Sequence, residues 1–294
     1  MNLSRRGFLR RGVGIGALAA AVSARPHPGP AAFASDGSRP VGVPVGLAAH
    51  QRAVIFNADD LGMSPEIDQG ILEAHDRGVV TSASLMVREP HTLAAIEEAR
   101  RRPDLGLGIH VAFDHRRRWF VDIQDLSAVR REVDRQLDTF VRLVGRPPTH
   151  IDSHHHIHRL FNVAHVFLQA GQRYGVPVRG FSDVFYMGGF YGQLHLGKTD
   201  SSRLTLEALT SLLEALPPGV SEVSCHPGHL EHRPDAFYNR EREAELQVLI
   251  DPRLKDVCAG SALRRLSFRD YARLAPRPAR PLVACPAVPL ASGH

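Results

Sequence analysis

Short apolar or β-branched runs alternate along the chain with stretches whose apolar positions recur every three to four residues. The first part reads "AVIFN", "SPEIDQGILEAHDRG", "VVTSASLMV", "HTLAAIEEARRR" and "LGLGIHVAF". The runs predict strands and the periodic stretches predict helices. The first helix is well marked: Ser64 is placed to cap it, Pro65 sits at its first position and Glu66 in its first turn. Ile67, Ile71, Leu72 and Ala74 form its apolar face, and Gly78 stops it. Further on come a helix over "AVRREVDRQLDTFVRLVG", a strand at "THID", a helix over "VAHVFLQAGQRYG", a strand at "VPVRG", a helix over "TLEALTSLLEAL" and a strand at "SEVSCH". Strands alternating with helices make parallel βαβ units, and about seven in this rhythm predict an α/β barrel. Residues 51–275 show no break or repeat, a common span for one such domain.

The two ends break this pattern. Residues 1–24 open with Arg5 and Arg6, continue through Phe8 and Leu9 into a Gly/Ala-rich run, and finish on Val22, Ser23 and Ala24. This reads as a twin-arginine export signal cut after Ala24, with Ala32-Phe33-Ala34 as a second small-residue cut position. The apolar run, about a dozen residues, falls short of the ~20 that span a bilayer, so no stable membrane anchor is expected. An exported, periplasmic or extracellular protein follows. Residues 25–50 and the Pro/Ala-rich tail at 276–294 lack periodicity and are expected to stay disordered.

The signal also explains the charge. The chain has 36 basic and 31 acidic residues, net +5, but residues 1–24 hold four arginines and no acid, leaving the rest near +1. No basic stripe with interleaved aromatics occurs, so no nucleic acid is expected as a partner. Cys225, Cys258 and Cys285 are odd in number and show no CxxC spacing, which argues against a disulfide framework.

The candidate chemistry lies at the predicted strand ends. Asp59 and Asp60 follow "AVIFNA", His110 ends "LGLGI", Asp152 and His154 follow "THI", and His226 ends "SEVSC". In an α/β barrel these ends meet on one face, where the active sites of such enzymes lie. An Asp pair after a strand also suits a turn or cap, but Ser64 already supplies the cap. A lone His is more often a packing residue than a ligand, and convergence of other ligands reverses that. Asp60, His110 and His154 make a three-ligand set with open positions, which suits a catalytic ion better than a closed structural site. Asp59 is then free to act as general base, and His226 to act as general acid or oxyanion partner.

The run "HIDSHHHIH" puts five histidines into residues 150–158. If it were extended, alternation would place Asp152, His154 and His156 on one face. Only some of them can bind one ion, so others among His150, His155, His156 and His158 are expected to orient ligands or touch substrate. His75, His91, His115, His165, His195, His229 and His232 are read as ordinary polar residues.

"NADDLGMSPEIDQGILEAHDRGVVTSASLMV", "GIHV", "HIDSHHHIH" and "CHPG" together resemble the successive motifs of the YdjC/ChbG family of carbohydrate deacetylases. The resemblance covers nearly the whole predicted core. It implies an irregular seven-stranded (β/α) barrel, TIM-like and in a single domain, that hydrolyses an N-acetyl group of an amino sugar, typically a chito-oligosaccharide. It also implies one divalent metal on Asp60, His110 and His154, with Asp59 as base. Magnesium is the ion implied, whereas two imidazoles favour a softer ion such as zinc.

Two segments depart from the family pattern. "HVAFDHRRRWFVD" stands where the family reads "HLTLT" and continues into a long loop, and "MVREP" replaces the commoner "MVN" with Arg88 and Glu89. Both would edge the pocket, which puts chitobiose itself in doubt as substrate. Arg116, Arg117 and Arg118 beside Trp119 suit a solvated loop and would also suit an anionic sugar. The alternatives are a metal phosphoesterase, which would need a second ion, and a non-catalytic sugar-binding barrel, against which the intact Asp59-Asp60 pair speaks. The oligomeric state is left open, a homodimer being compatible.

Overall fold

The computed structural model describes residues 47–274, apart from 49, 116, 194–198, 233–235, 237 and 261. The expected signal, the expected cut sites, most of the 25–50 segment, the 276–294 tail, Arg116, His195 and Cys285 therefore lie outside the described residues. Among those described, Cys225 and Cys258 are buried free thiols. No helix described is long and apolar enough to cross a membrane.

The central strand β1 (Arg52–Leu61) is buried along all but its first residue. It leads into α1 (Pro65–Asp76), whose first turn is capped by Ser64 Oγ accepting the Ile67 N–H at 3.3 Å. Then follow β2 (Ser82–Leu85), α2 (Thr92–Arg100) and β3 (Gly106–Val111). A small hairpin pairs β4 (Asp114–His115) with β5 (Arg118–Trp119). It occupies the segment where the sequence departs from the family pattern that it resembles. Helix α3 (Leu126–Val144) runs from an Asp125 cap to Gly145, whose φ of 83° suits glycine. Next come β6 (Ile151–Ser153), a 3₁₀ turn over His154–Arg159, α4 (Ala164–Tyr174) and β7 (Phe185–Met187). The described chain ends with α5 (Leu206–Glu214), β8 (Gly219–Cys225), α6 (Asn239–Leu249), α7 (Pro252–Gly260), β9 (Leu263–Arg265) and α8 (Phe268–Leu274).

Seven of these strands form one sheet in the order β6-β3-β2-β1-β8-β7, with β9 paired to the start of β1. Every pairing in it is parallel. The sheet is the curled α/β sheet that the alternation predicts, but among the described residues β6 and β7 do not pair, so it is open at that side. The reason lies in "VPVRG", expected as a full strand. Val178 makes only an isolated parallel bridge to Ile151, and the chain turns away at Gly180, φ 73°. The core is continuous, with Phe56 and Val54 of β1 packed in one cluster with Ile71 of α1, Phe140 of α3, Phe167 of α4 and Leu246 of α6.

Parallel strands all end on the same side, so β1, β3, β6 and β8 deliver their last residues to one face. β1 does so with a twist. Ala58 pairs with Ala83 and Leu61 with Leu85, so Asp59 and Asp60 together stand opposite the single residue Ser84. This is a β-bulge, and Asp60 adopts a φ of 71° within it. Successive residues of a regular strand face opposite ways, and the bulge lets both aspartates face the same end.

Candidate active site

Asp60, His110 and His154 meet at the strand ends, each offering a donor atom within 4.8 Å of the others. Asp60 Oδ1 lies 3.2 Å from His110 Nε2 and 3.2 Å from His154 Nδ1. The other oxygen, Oδ2, accepts from Arg242 Nη2 of α6 at 2.5 Å. His110 is oriented from behind, its Nδ1 lying 2.7 Å from Asp152 Oδ1. Asp152 is held in turn by Ser84, whose hydroxyl donates at 2.7 Å, and Ser84 meets His150 Nε2 at 2.9 Å. The His150 ring stacks on Phe268 and fills the space that a Cβ on Gly108 would take.

These residues fit a divalent cation on structural grounds. Asp60 Oδ1 is buried and makes no well-aligned hydrogen bond, its nearest polar neighbours being the two imidazole nitrogens at 3.2 Å, a setting that a shared cation would suit. Around a tetrahedral zinc, donors bonded at ~2.0–2.1 Å stand about 3.3 Å apart, close to the 3.2 Å separations here. The carboxylate behind His110 is the arrangement that fixes the tautomer of a metal-binding imidazole. Without the ion, burial works against a charged His110 ring, but the Asp152 and Asp59 carboxylates outweigh it and push its pKa up to about 10.

Asp59 faces a different partner. Arg179 donates Nη1 to Oδ2 and Nη2 to Oδ1, both at 2.7 Å, and Asn57 Nδ2 adds a bond at 3.0 Å. Burial alone would raise the Asp59 carboxyl, but Arg179, with His110 and His226, holds it well below the usual carboxylate range. Arg179 Nη2 also lies 2.7 Å from both Asp152 and Glu222, so one buried guanidinium serves three carboxylates. His226 Nε2 stands 3.8 Å from Asp59 Oδ2. Burial pushes the His226 ring down to about 4, so it is neutral near pH 7. Its backbone N–H is taken by Glu245 of α6, which also accepts from Tyr238 at 2.7 Å.

The histidine run is not extended, and the expected alternation fails. His155 and His156 take left-handed backbone angles, φ 55° and 53°, within the 3₁₀ turn, so the rings reach different partners, although those of His154 and His155 stay 3.9 Å apart. His154 turns to Asp60, His155 to Asp114, His156 to the Tyr186 hydroxyl at 3.2 Å and His158 to Ser153 at 2.7 Å. His156 thus does not join Asp152 and His154 on one face. Of the histidines read as ordinary, His115 pairs with Glu89, and His229 with Glu73 and Glu243.

Sequence reasoning missed Arg179, Arg242, Glu245 and Ser84. Arg179 stands at the end of "VPVRG", the same strand-end position that marked the others, so a signal for it existed. Arg242 lies in the charged helix "NREREAELQVL", where nothing sets it apart from solvated neighbours.

The chain is similar over most of its length to several known proteins. A carbohydrate deacetylase of Geobacillus stearothermophilus is 33% identical over 255 residues, covering 76% of this chain and 99% of that one. A chitooligosaccharide deacetylase of Serratia marcescens is 30% identical, covering 75% and 99%. A crystal structure from Enterococcus faecalis V583, named as a candidate cellobiose-phosphate cleavage protein, superposes with a TM-score of 0.65 at 24% identity, covering 75% of this chain and 99% of its own, a likeness of fold. The model of the YdjC-like protein family matches residues 53–260, and the chain belongs to that family.

Proposed function

We propose that the protein is a hydrolase that removes an N-acetyl group from an amino sugar or oligosaccharide, with one divalent cation on Asp60, His110 and His154. The observation that carries this reading is the meeting of those donors around the buried Asp60 Oδ1, with Asp59 and His226 beside them. Relatives named carbohydrate deacetylase, at 33% and 31% identity, support the substrate class. The two-nitrogen, one-oxygen donor set favours zinc over the magnesium implied by resemblance.

When bound, such an ion supplies Lewis-acid chemistry, polarising a carbonyl and acidifying water. Asp59, held by the Arg179 fork, takes the proton of the attacking water through its carboxylate. His226, neutral and 3.8 Å away, offers a ring N–H to the oxygen that gains charge as the amide carbon becomes tetrahedral, the oxyanion-partner role rather than that of a preformed acid. The partner in this reading is an acetylated sugar, and export by the twin-arginine route remains part of it.

A screen of acetylated amino sugars and chito-oligosaccharides by mass spectrometry, watching for loss of one acetyl group, tests the reaction. Asp60→Ala, His110→Ala and His154→Ala should each lose bound metal and activity together. Asp59→Asn should keep the metal and lose about 100- to 10,000-fold in turnover. Full metal content in all three alanine variants would sink the ligand set. Changing Arg5 and Arg6 to Lys should hold the precursor in the cytoplasm with its activity intact.

A further inference from the structure

A second donor set adjoins the first. Asp114 opens the β4–β5 hairpin, is 3% exposed, and uses only half of its carboxylate. Oδ2 accepts the N–H of Arg117 at 3.0 Å, while Oδ1 is buried and has no hydrogen-bond partner. His155 Nε2 stands 3.6 Å from that oxygen. This is beyond a hydrogen bond but near the separation of about 3.3 Å between two donors on one zinc ion. Asp114, His154 and His155 each bring a donor atom within 4.8 Å of the others. The left-handed turn at His155 swings its ring to this side, 3.9 Å from the ring of His154. Trp119, opposite Asp114 in the hairpin, stands 6.1 Å from the His155 ring.

A buried carboxylate oxygen with no donor is costly, and two imidazoles converging on it supply the rest of a cation site. We propose that Asp114, His154 and His155 form a second divalent-cation site beside the first. Two nitrogens and one oxygen select a borderline ion of the zinc, cobalt or nickel kind over magnesium. His154 belongs to both donor sets and can serve two ions at once only as a bridging imidazolate, its ring N–H proton released to solvent on binding, so the two sites are coupled. His155 is 36% exposed where His110 is 2%, which puts the second site nearer to solvent and makes its ion the more readily exchanged. The proposal does not depend on the substrate assigned above.

The test is a count of bound metal. The full chain, stripped with chelator and equilibrated with cobalt(II), is expected to hold two equivalents by elemental analysis, with two components in its visible spectrum. His155→Ala and Asp114→Asn are each expected to hold one. The His155 ring is partly exposed, so His155→Ala decides the matter if Asp114→Asn fails to fold. A wild-type chain that saturates at one equivalent overturns the proposal alone, as does a second equivalent that persists in His155→Ala. A chain that binds none overturns both this site and the Asp60 centre.

Discussion

Arg179 and Asp59 form a buried two-pronged ion pair, Nη1 to Oδ2 and Nη2 to Oδ1 at 2.7 Å each, across 120 residues of sequence. The fork fixes the plane of the carboxylate, and a lysine ammonium cannot do this from a single point. Arg179→Lys is expected to fold and keep its metal while losing on the order of 100-fold in turnover. Arg179→Met strands three buried carboxylates and is expected to lose about 3–5 kcal/mol of stability. Kinetics on an acetylated sugar and thermal melts measure the two effects, and full activity in Arg179→Lys would remove the orienting role.

Asp152 should tune the metal without touching it. Its Oδ1 meets His110 Nδ1 at 2.7 Å, so removing its charge lowers the basicity of the opposite ring nitrogen. Asp152→Asn is expected to weaken metal affinity by about 10- to 100-fold. Ser84→Ala, one bond further back, should do less. Calorimetric titration with zinc ranks the two, and an unchanged affinity in Asp152→Asn would break the link.

Asp68, in the first turn of the helix after β1, gives a pH signature. Burial raises its carboxyl to about 7 from 3.8, against the bond that Gly62 N–H donates at 2.5 Å. The folded state thus disfavours the charged form, and stability associated with this group is lost as pH rises from 3.8 through 7. Asp68→Asn keeps an acceptor for Gly62 and cannot ionise. Its melting temperature relative to wild type should be level near pH 4 and climb to a plateau above pH 7. A difference that stays flat across that range would contradict the assignment.

Gly70 and Gly228 test how the His226 segment is seated. A Cβ on Gly70 would fall 2.4 Å from Gly228 Cα, a backbone atom that cannot step aside. A Cβ on Gly228 would meet the Arg242 side chain at 3.2 Å and Ile67 Cα at 3.4 Å. Gly70→Ala is therefore expected to destabilise by about 1–3 kcal/mol and lower turnover by shifting His226, with Gly228→Ala the milder change. Equal melts for the two would show that the loop yields easily.

The sequence made the βα rhythm legible because strands and helices leave different periods, and it made Asp59, Asp60, His110, His154 and His226 legible because they all end predicted strands. Arg179 and Arg242 were harder to read, since their meaning lies in partners 120 and 182 residues away. Glu245 sits on the same charged helix as Arg242, where a buried acid and a solvated one look alike in sequence. The separate partners of His154, His155 and His156 depend on positive φ at two non-glycine residues, which no residue type announced. The open side of the sheet traces to Gly180 ending "VPVRG" after one bridge.

The bulge in β1 makes the Asp59-Asp60 pair a matter of chain length as well as residue type. Deleting one aspartate restores an even count against β2, one residue between Ala58 and Leu61 for the one between Ala83 and Leu85. The strand could then run straight, relieved of the left-handed residue at Asp60, while the apolar positions on either side kept their partners. The curled sheet would be expected to tolerate, and even prefer, the shorter chain. Only the chemistry at the strand's end requires the extra residue, so a relative shortened by one residue here would be expected to keep the fold and lose the reaction.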